Sequence, residues 1–288
     1  MCNRVIRGKV SLMSEISPSS TPSQMPARSL PRVIAVANQK GGVGKTTTSI
    51  NTAAALAQMG LKVLLIDIDP QGNATSGLGI DVRSLDSSIL DVLIDDAPLS
   101  DCLCPTEIYG LQVAPSNLRL ADAEMTMYSM LARETRLKNA VDVVVGQFDY
   151  IIIDCPPSLG LLTLNALCAA REVLIPIQCE YFALEGVGQL LENVLRIRRS
   201  GLNPTLEVSS IVCVMYDART NLAEEVVDEI RQHFGSTVLK TVVPRNIRLS
   251  ESPKYGIPII THDPMSRGAI AYTDVAREVH NGSQPTAG

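Results

Sequence analysis

Residues 39–48 read Q-K-G-G-V-G-K-T-T-T, preceded by an apolar run at 33–37 and followed by an Ala-rich stretch of helical pattern at 45–59. Strand, glycine turn and helix N-terminus in that order aim backbone N–H groups and the positive end of a helix dipole at one anion, so this is a phosphate-binding loop. Gly41, Gly42 and Gly44, with Val43 between them, let the backbone wrap closely around phosphate oxygens. Lys45 supplies a mobile point charge for the β- and γ-phosphates. Thr46, followed by Thr47 in the first helical turn, places a hydroxyl where Mg²⁺ sits in such loops. An ordinary loop would carry glycine at position 39, whereas here Gln39 is followed by a second lysine, Lys40. Lys45 already serves the phosphates, so Lys40 is expected to point outward, toward a neighbouring subunit.

Acidic residues fall where a parallel sheet needs them. Asp67 and Asp69 close the second apolar run in L-L-I-D-I-D-P-Q-G-N, and Asp154 closes Y-I-I-I-D-C-P-P-S. The C-terminal ends of parallel strands form the ligand crevice, so these carboxylates are expected to converge beside the loop. Asp154 is the expected Walker B group holding the magnesium hydration shell. Each Asp taken alone is also an ordinary helix cap or turn residue.

Buried-strand signals recur at 33–37, 62–67, 111–114, 150–154, 172–176, 208–215 and 238–243, with helical patterns at 45–59, 86–94, 121–145, 161–170, 185–199, 221–234 and 268–279. Continuous apolar strands separated by helices predict an α/β fold, a mostly parallel twisted sheet flanked by helices on both faces. Gly60 and Gly201 stand where left-handed helix caps belong. Trp is absent and Phe is limited to 3, so Ile, Val, Leu and Ala must fill the interior. No internal repeat is visible, and nothing after residue 32 reads as a linker. The expected organisation is a disordered tail at 1–31, one ATPase domain at 32–280 and a flexible tail at 281–288. The first segment is rich in Ser and Pro and mildly basic (Arg4, Arg7, Lys9, Arg28 against Glu15), which fits a solvated leader, a start site upstream of Met13, or a weak DNA-binding arm.

The net charge of −5 argues against a body coated with cations for nucleic acid while leaving room for a local basic patch. The cysteines, Cys2, Cys102, Cys104, Cys155, Cys168, Cys179 and Cys213, are scattered through apolar segments, as reduced buried thiols are. Cys102 and Cys104 form a weak metal signal with no His nearby. No run approaches the ~20 apolar residues of a membrane span, and the N-terminus lacks a signal-peptide core, which predicts a cytoplasmic protein.

K-G-G-V-G-K-T-T, D-I-D-P-Q-G-N-A-T-S-G-L-G, D-C-P-P-S-L-G, Q-C-E-Y-F-A-L-E-G, M-Y-D-A-R-T-N-L and V-V-P-R-N-I-R-L-S-E resemble, in order and spacing, the deviant Walker A ATPases of the ParA/Soj chromosome-partitioning type. The likeness runs from residue 32 to about 279. It implies a P-loop NTPase that binds ATP and Mg²⁺ and closes as an ATP-sandwich homodimer, with Lys40 reaching the phosphates bound in the other subunit. It implies that Asp69 orients the attacking water, that Asp67 lies near magnesium and the signature lysine, and that Pro244 and Arg245 contact the adenine. The ATP dimer would bind DNA without sequence preference through basic residues including Arg219 and Arg248, with Arg245, Lys254 and Arg267 in the same third of the chain. A centromere-binding ParB-type partner would stimulate hydrolysis and release the dimer, and the protein would be cytoplasmic and nucleoid-associated. Three alternatives share the site: a MinD-like ATPase lying on the membrane through a basic amphipathic helix, a cargo-positioning ATPase, and a reductase resembling nitrogenase iron protein that would need exposed cluster-binding cysteines.

Overall fold

The computed structural model describes residues 31–180 and 183–282. Of the tails expected at 1–31 and 281–288, residues 1–30 and 283–288 lie outside the described residues, and Asn281 closes the last helix. The strands are β1 (Arg32–Val36), β2 (Val63–Asp67), β3 (Cys104–Pro105), β4 (Leu111–Ala114), β5 (Tyr150–Asp154), β6 (Glu172–Gln178), β7 (Glu207–Tyr216) and β8 (Val238–Pro244). The helices are α1 (Lys45–Gln58), α2 (Asn73–Gly77), α3 (Ile89–Ile94), α4 (Leu120–Met127), α5 (Arg136–Val144), α6 (Leu161–Ala169), α7 (Ala183–Arg199), α8 (Asn221–Phe234), α9 (Ile247–Glu251), α10 (Ile259–His262) and α11 (Arg267–Asn281).

The strands form one sheet in the order β3-β4-β2-β5-β1-β6-β7-β8, all parallel except β3, which runs antiparallel to β4 at the edge. Successive residues face opposite layers, as the two-residue period of a strand requires. Val33, Ala35, Leu64, Ile66, Ile151 and Ile153 pack with α3 to α8. Ile34, Val36, Val63, Leu65, Tyr150 and Ile152 pack with α1, α10 and α11. Burial on both faces explains why these strands read as unbroken apolar runs rather than alternating ones. Gly60 and Gly201 have φ of 88° and 80°, the left-handed caps expected of them.

The helix expected over 121–145 is two helices. The chain breaks between α4 and α5, where Ala132 takes a φ of 51°. The break is held from outside: Asn165 on α6 donates to the Arg133 carbonyl at 2.7 Å and accepts from Leu137 N–H at 3.1 Å. A neighbouring helix thus satisfies backbone groups that a continuous helix would have paired internally. No local residue pattern announces this.

The far end of the sheet, opposite the strand C-termini, holds a buried ion pair. Arg32, at the start of β1, donates to both carboxylate oxygens of Glu172, at the start of β6, at 2.7 and 2.6 Å. Its other amino group donates to Tyr150 Oη at 3.0 Å and to the Val279 carbonyl near the end of α11. Removing one partner of such a pair strands the other charge, so Arg32→Ala is expected to lower unfolding free energy by about 3–5 kcal/mol, measured by urea denaturation.

Candidate nucleotide site

The loop between β1 and α1 turns on Gly42 and Gly44, whose φ angles of 74° and 76° are costly for any residue with a Cβ. Gly41 differs: a Cβ built on it meets no protein atom within 4 Å. Any demand for glycine there comes from something outside the chain, which fits a surface that a ligand approaches. Lys45 opens α1 and is buried, and its Nζ donates to the Lys40 carbonyl at 3.2 Å. Burial lowers its pKa, opposed chiefly by Asp154 and also by Asp69. α1 carries no acidic residue in its own first turn, so its first N–H groups are not capped from within the helix.

The pairing of β2 with β5 sets Asp67 directly opposite Asp154 at the strand ends. Thr46 and Ser49 hydroxyls donate to the two oxygens of Asp154 at 2.8 and 2.7 Å, tying α1 to β5 under the loop. Asp67 accepts from Thr75 N–H and Thr75 Oγ1 at 2.8 and 2.7 Å and from Asp69 N–H at 3.1 Å, so both of its oxygens are engaged by protein donors. Asp69 accepts from Gln71 N–H through one oxygen at 3.0 Å; its other oxygen accepts no hydrogen bond among the described residues. Among the described residues no group of three His, Cys, Asp or Glu forms a ready-made metal cage. That suits magnesium, which keeps several waters and takes phosphate oxygens beside one or two protein ligands. Thr46 Oγ1 and Asp154 Oδ2 stand 2.8 Å apart below the loop, and both oxygens of Asp154, like both of Asp67, accept from protein donors. Asp67, pinned at both oxygens, is arranged to hold the loop that carries Asp69.

Burial raises Asp67 to about 6, opposed by its Thr75 and Asp69 hydrogen bonds. Burial and then the charge of Asp67 raise Asp154 to about 8. An acid whose folded pKa lies above its unfolded value of about 4 favours the folded state below that pH and loses this contribution as pH climbs through the folded value. The nucleotide-free, magnesium-free protein is expected to melt at progressively lower temperature between roughly pH 4 and pH 8, the window from the unfolded to the folded values of this pair. Thermal melts across pH check it, and Asp154→Asn should flatten the slope.

Lys40 stands at the rim, its side chain 37% exposed, with Nζ 3.2 Å from Glu180 Oε2. Its partner is thus an acid of its own subunit at the edge of the loop, whereas the ammonium of Lys45 lies against the Lys40 carbonyl. The end of β7 flanks the loop, since a Cβ on Gly44 would lie 3.9 Å from Met215 Cε. Pro244 pairs with Tyr216, and Arg245 N–H donates to the Tyr216 carbonyl at 2.9 Å, placing both beside that flank. Arg219 and Arg248 follow these two neighbouring strand ends. The Arg219 guanidinium is 85% exposed and grips Asp217 with two bonds of 2.8 and 2.7 Å. Arg248 is 59% exposed, with Glu251 at 3.7 Å and Asp263 at 3.9 Å. Both therefore carry local acids that compete with any outside anion.

A family model described as an AAA domain matches residues 31–208. The sporulation initiation inhibitor protein Soj of Bacillus subtilis is 53% identical over 248 residues, covering 86% of this chain and 98% of that protein. The chain belongs to the ParA/Soj family. The chromosome partitioning protein ParA of Myxococcus xanthus is 49% identical over 254 residues, covering 88% of this chain and 89% of its own. A solved structure named cobyrinic acid a,c-diamide synthase from Mycobacterium smegmatis, with bound ADP and magnesium, superposes with a TM-score of 0.76 at 40% identity, covering 87% of this chain and 94% of that one.

Within the ParA/Soj frame, motif reading missed three supports of the site: Ser49, Thr75 and Asn38. Ser49 had a findable signal, because it lies one helical turn beyond Thr46 and so shares its face. Thr75 and Asn38 act on residues brought close only by folding. Cys155, directly after Asp154, is fully buried with its thiol donating to the Ile153 carbonyl at 3.7 Å, so it offers no surface ligand to a shared cluster. Cys102 is buried and Cys104 half-buried, both as free thiols.

Proposed function

We propose that this chain is a magnesium-dependent ATPase of chromosome partitioning that closes as an ATP-bound homodimer, holds DNA without sequence preference, and lets go when a ParB-type partner stimulates hydrolysis. The observation that carries the reading is the 53% identity to Soj across 98% of that protein, together with a loop whose Thr46 and Ser49 are both latched to Asp154. ATP fits the loop because α1 presents its N-terminal N–H groups and Lys45, with no acidic residue in its own first turn. Magnesium, when bound, neutralises charge on the phosphates. Lys45 holds the β- and γ-phosphates from its own subunit, and Lys40 reaches the phosphates of the other only after closure. Asp69, with one oxygen that accepts no hydrogen bond among the described residues, orients the attacking water. Pro244 and Arg245 border the adenine.

Arg219 and Arg248, on adjacent loops, meet DNA phosphates and read no bases. If each subunit neutralises ~3 phosphates, the salt slope of the closed dimer approaches roughly −5 against −3 for one subunit, so nucleotide state sets residence on DNA. The apolar side of α11, including Tyr272, Val275 and Val279, is buried, so this helix does not offer it to lipid as a MinD-like reading would need.

Gel shifts on non-specific DNA with no nucleotide, ADP or ATP, repeated across salt, test the whole scheme; equal retention in all three states would end it. Arg219→Glu with Arg248→Glu should weaken DNA binding by roughly tenfold or more while ATP-driven dimerisation persists, since two phosphate contacts become two repulsions. Asp69→Ala should trap ATP dimers on DNA, and unchanged turnover in that variant would remove its assigned role.

A further inference from the structure

The signature lysine does not set its own direction. Asn38, just past β1, is 4% exposed and bridges two segments: its amide donates to the Pro176 carbonyl on β6 at 2.8 Å, and its side-chain oxygen accepts from the backbone N–H of Lys40 at 3.0 Å. From the opposite side the first turn of α7 closes in at Gly186. A Cβ there would stand 3.2 Å from Asn38 Oδ1, 3.6 Å from Lys40 Cβ and 3.9 Å from Lys40 N. At Gly186 itself no side chain stands between α7 and the lysine's backbone. A short amide is suited to this place, since the bridge needs one acceptor and one donor on the same planar group, and a hydroxyl or carboxylate lacks one or the other reach.

We infer that Asn38, backed by Gly186, is a positioning residue for Lys40: it fixes the backbone from which the lysine reaches the partner subunit. The inference rests on the trans-lysine reading of the dimer. A lysine has a long flexible stem, so the ammonium finds a distant phosphate only if the first atoms of that stem are held. A shift of about 1 Å at such a base costs up to roughly a hundredfold in a step that depends on alignment. The turns from Gly42 onward and the latch of Thr46 and Ser49 to Asp154 do not involve Asn38, while the Lys45 ammonium meets the same backbone only through its 3.2 Å bond to the Lys40 carbonyl.

The test compares Asn38→Ala, Gly186→Ala and Lys40→Ala for ADP affinity, for dimerisation with a slowly hydrolysed ATP analogue by sedimentation, and for thermal stability. Asn38→Ala is expected to bind ADP within about threefold of wild type while dimerising about tenfold more weakly. Gly186→Ala supplies the readout that a merely structural role would not move. Alanine raises intrinsic helix stability, so this variant should melt no lower than wild type and still dimerise more weakly. Should Asn38→Ala fail to fold, Gly186→Ala decides alone. Wild-type dimerisation in Gly186→Ala and Asn38→Ala beside a failed Lys40→Ala would overturn the positioning role and leave the lysine reading intact. Equal losses of ADP affinity and dimerisation would also overturn it, as collapse of the whole loop. Normal dimerisation in Lys40→Ala would instead remove the trans-lysine reading itself.

Discussion

Lys45→Ala is expected to weaken nucleotide binding about a hundredfold, because a buried charge-assisted contact to phosphate is worth roughly 3 kcal/mol. The environment makes the loss larger than a missing hydrogen bond would. Lys45 is the buried cation beside Asp154 and Asp69. Without it the floor of the site carries acids only, and an incoming polyphosphate meets repulsion where it met attraction. Thr46 and Ser49 still latch α1 to β5 in the variant, so the fold should persist. Titration with a fluorescent nucleotide, paired with a thermal melt, separates lost binding from lost structure. Near-normal affinity in a folded variant would mean that residues 39–48 are not the phosphate loop.

The second large effect belongs to Lys40. Lys40→Ala is expected to keep nucleotide affinity and lose the closed dimer, with turnover falling by about a thousandfold under partner stimulation, the scale of removing a cationic finger delivered in trans. The reason is its placement: the ammonium pairs with Glu180 at the rim, 37% exposed, while Lys45 occupies the inside of the loop. An exposed pair of this kind is worth little by itself, so leaving Glu180 for a desolvated phosphate costs little. Sedimentation with ATP and hydrolysis blocked measures the dimer, and single-turnover kinetics measure the chemistry. A Lys40→Ala protein that dimerises and turns over normally would leave the second lysine without a function in catalysis.

Much of the scaffold was legible because its determinants are local. The pattern at 150–154 and that at 221–234 coincide with β5 and α8. A strand buried on both faces must be apolar throughout, and a surface helix must place apolar residues every three to four positions. The short helices α2, α9 and α10 and the two-residue strand β3 escaped, since pieces of that length carry too few periods to register. The break between α4 and α5 escaped for another reason: its partner, Asn165, is on a different helix.

The candidate site divides along the same line. Residues 39–48 by themselves determined a phosphate loop, because glycine spacing and a helix start are properties of consecutive residues, and the two Asp-ended apolar runs placed Asp67, Asp69 and Asp154 at strand termini. Only the tertiary structure decided what those carboxylates touch. Register between β2 and β5 sets Asp67 against Asp154, Thr75 donates twice to Asp67 Oδ2, and one oxygen of Asp69 has no donor among the described residues. Hydrogen bonds reach only about 3 Å, so a contact between residues dozens of positions apart exists only after the strands have aligned, and no reading along the chain contains that alignment.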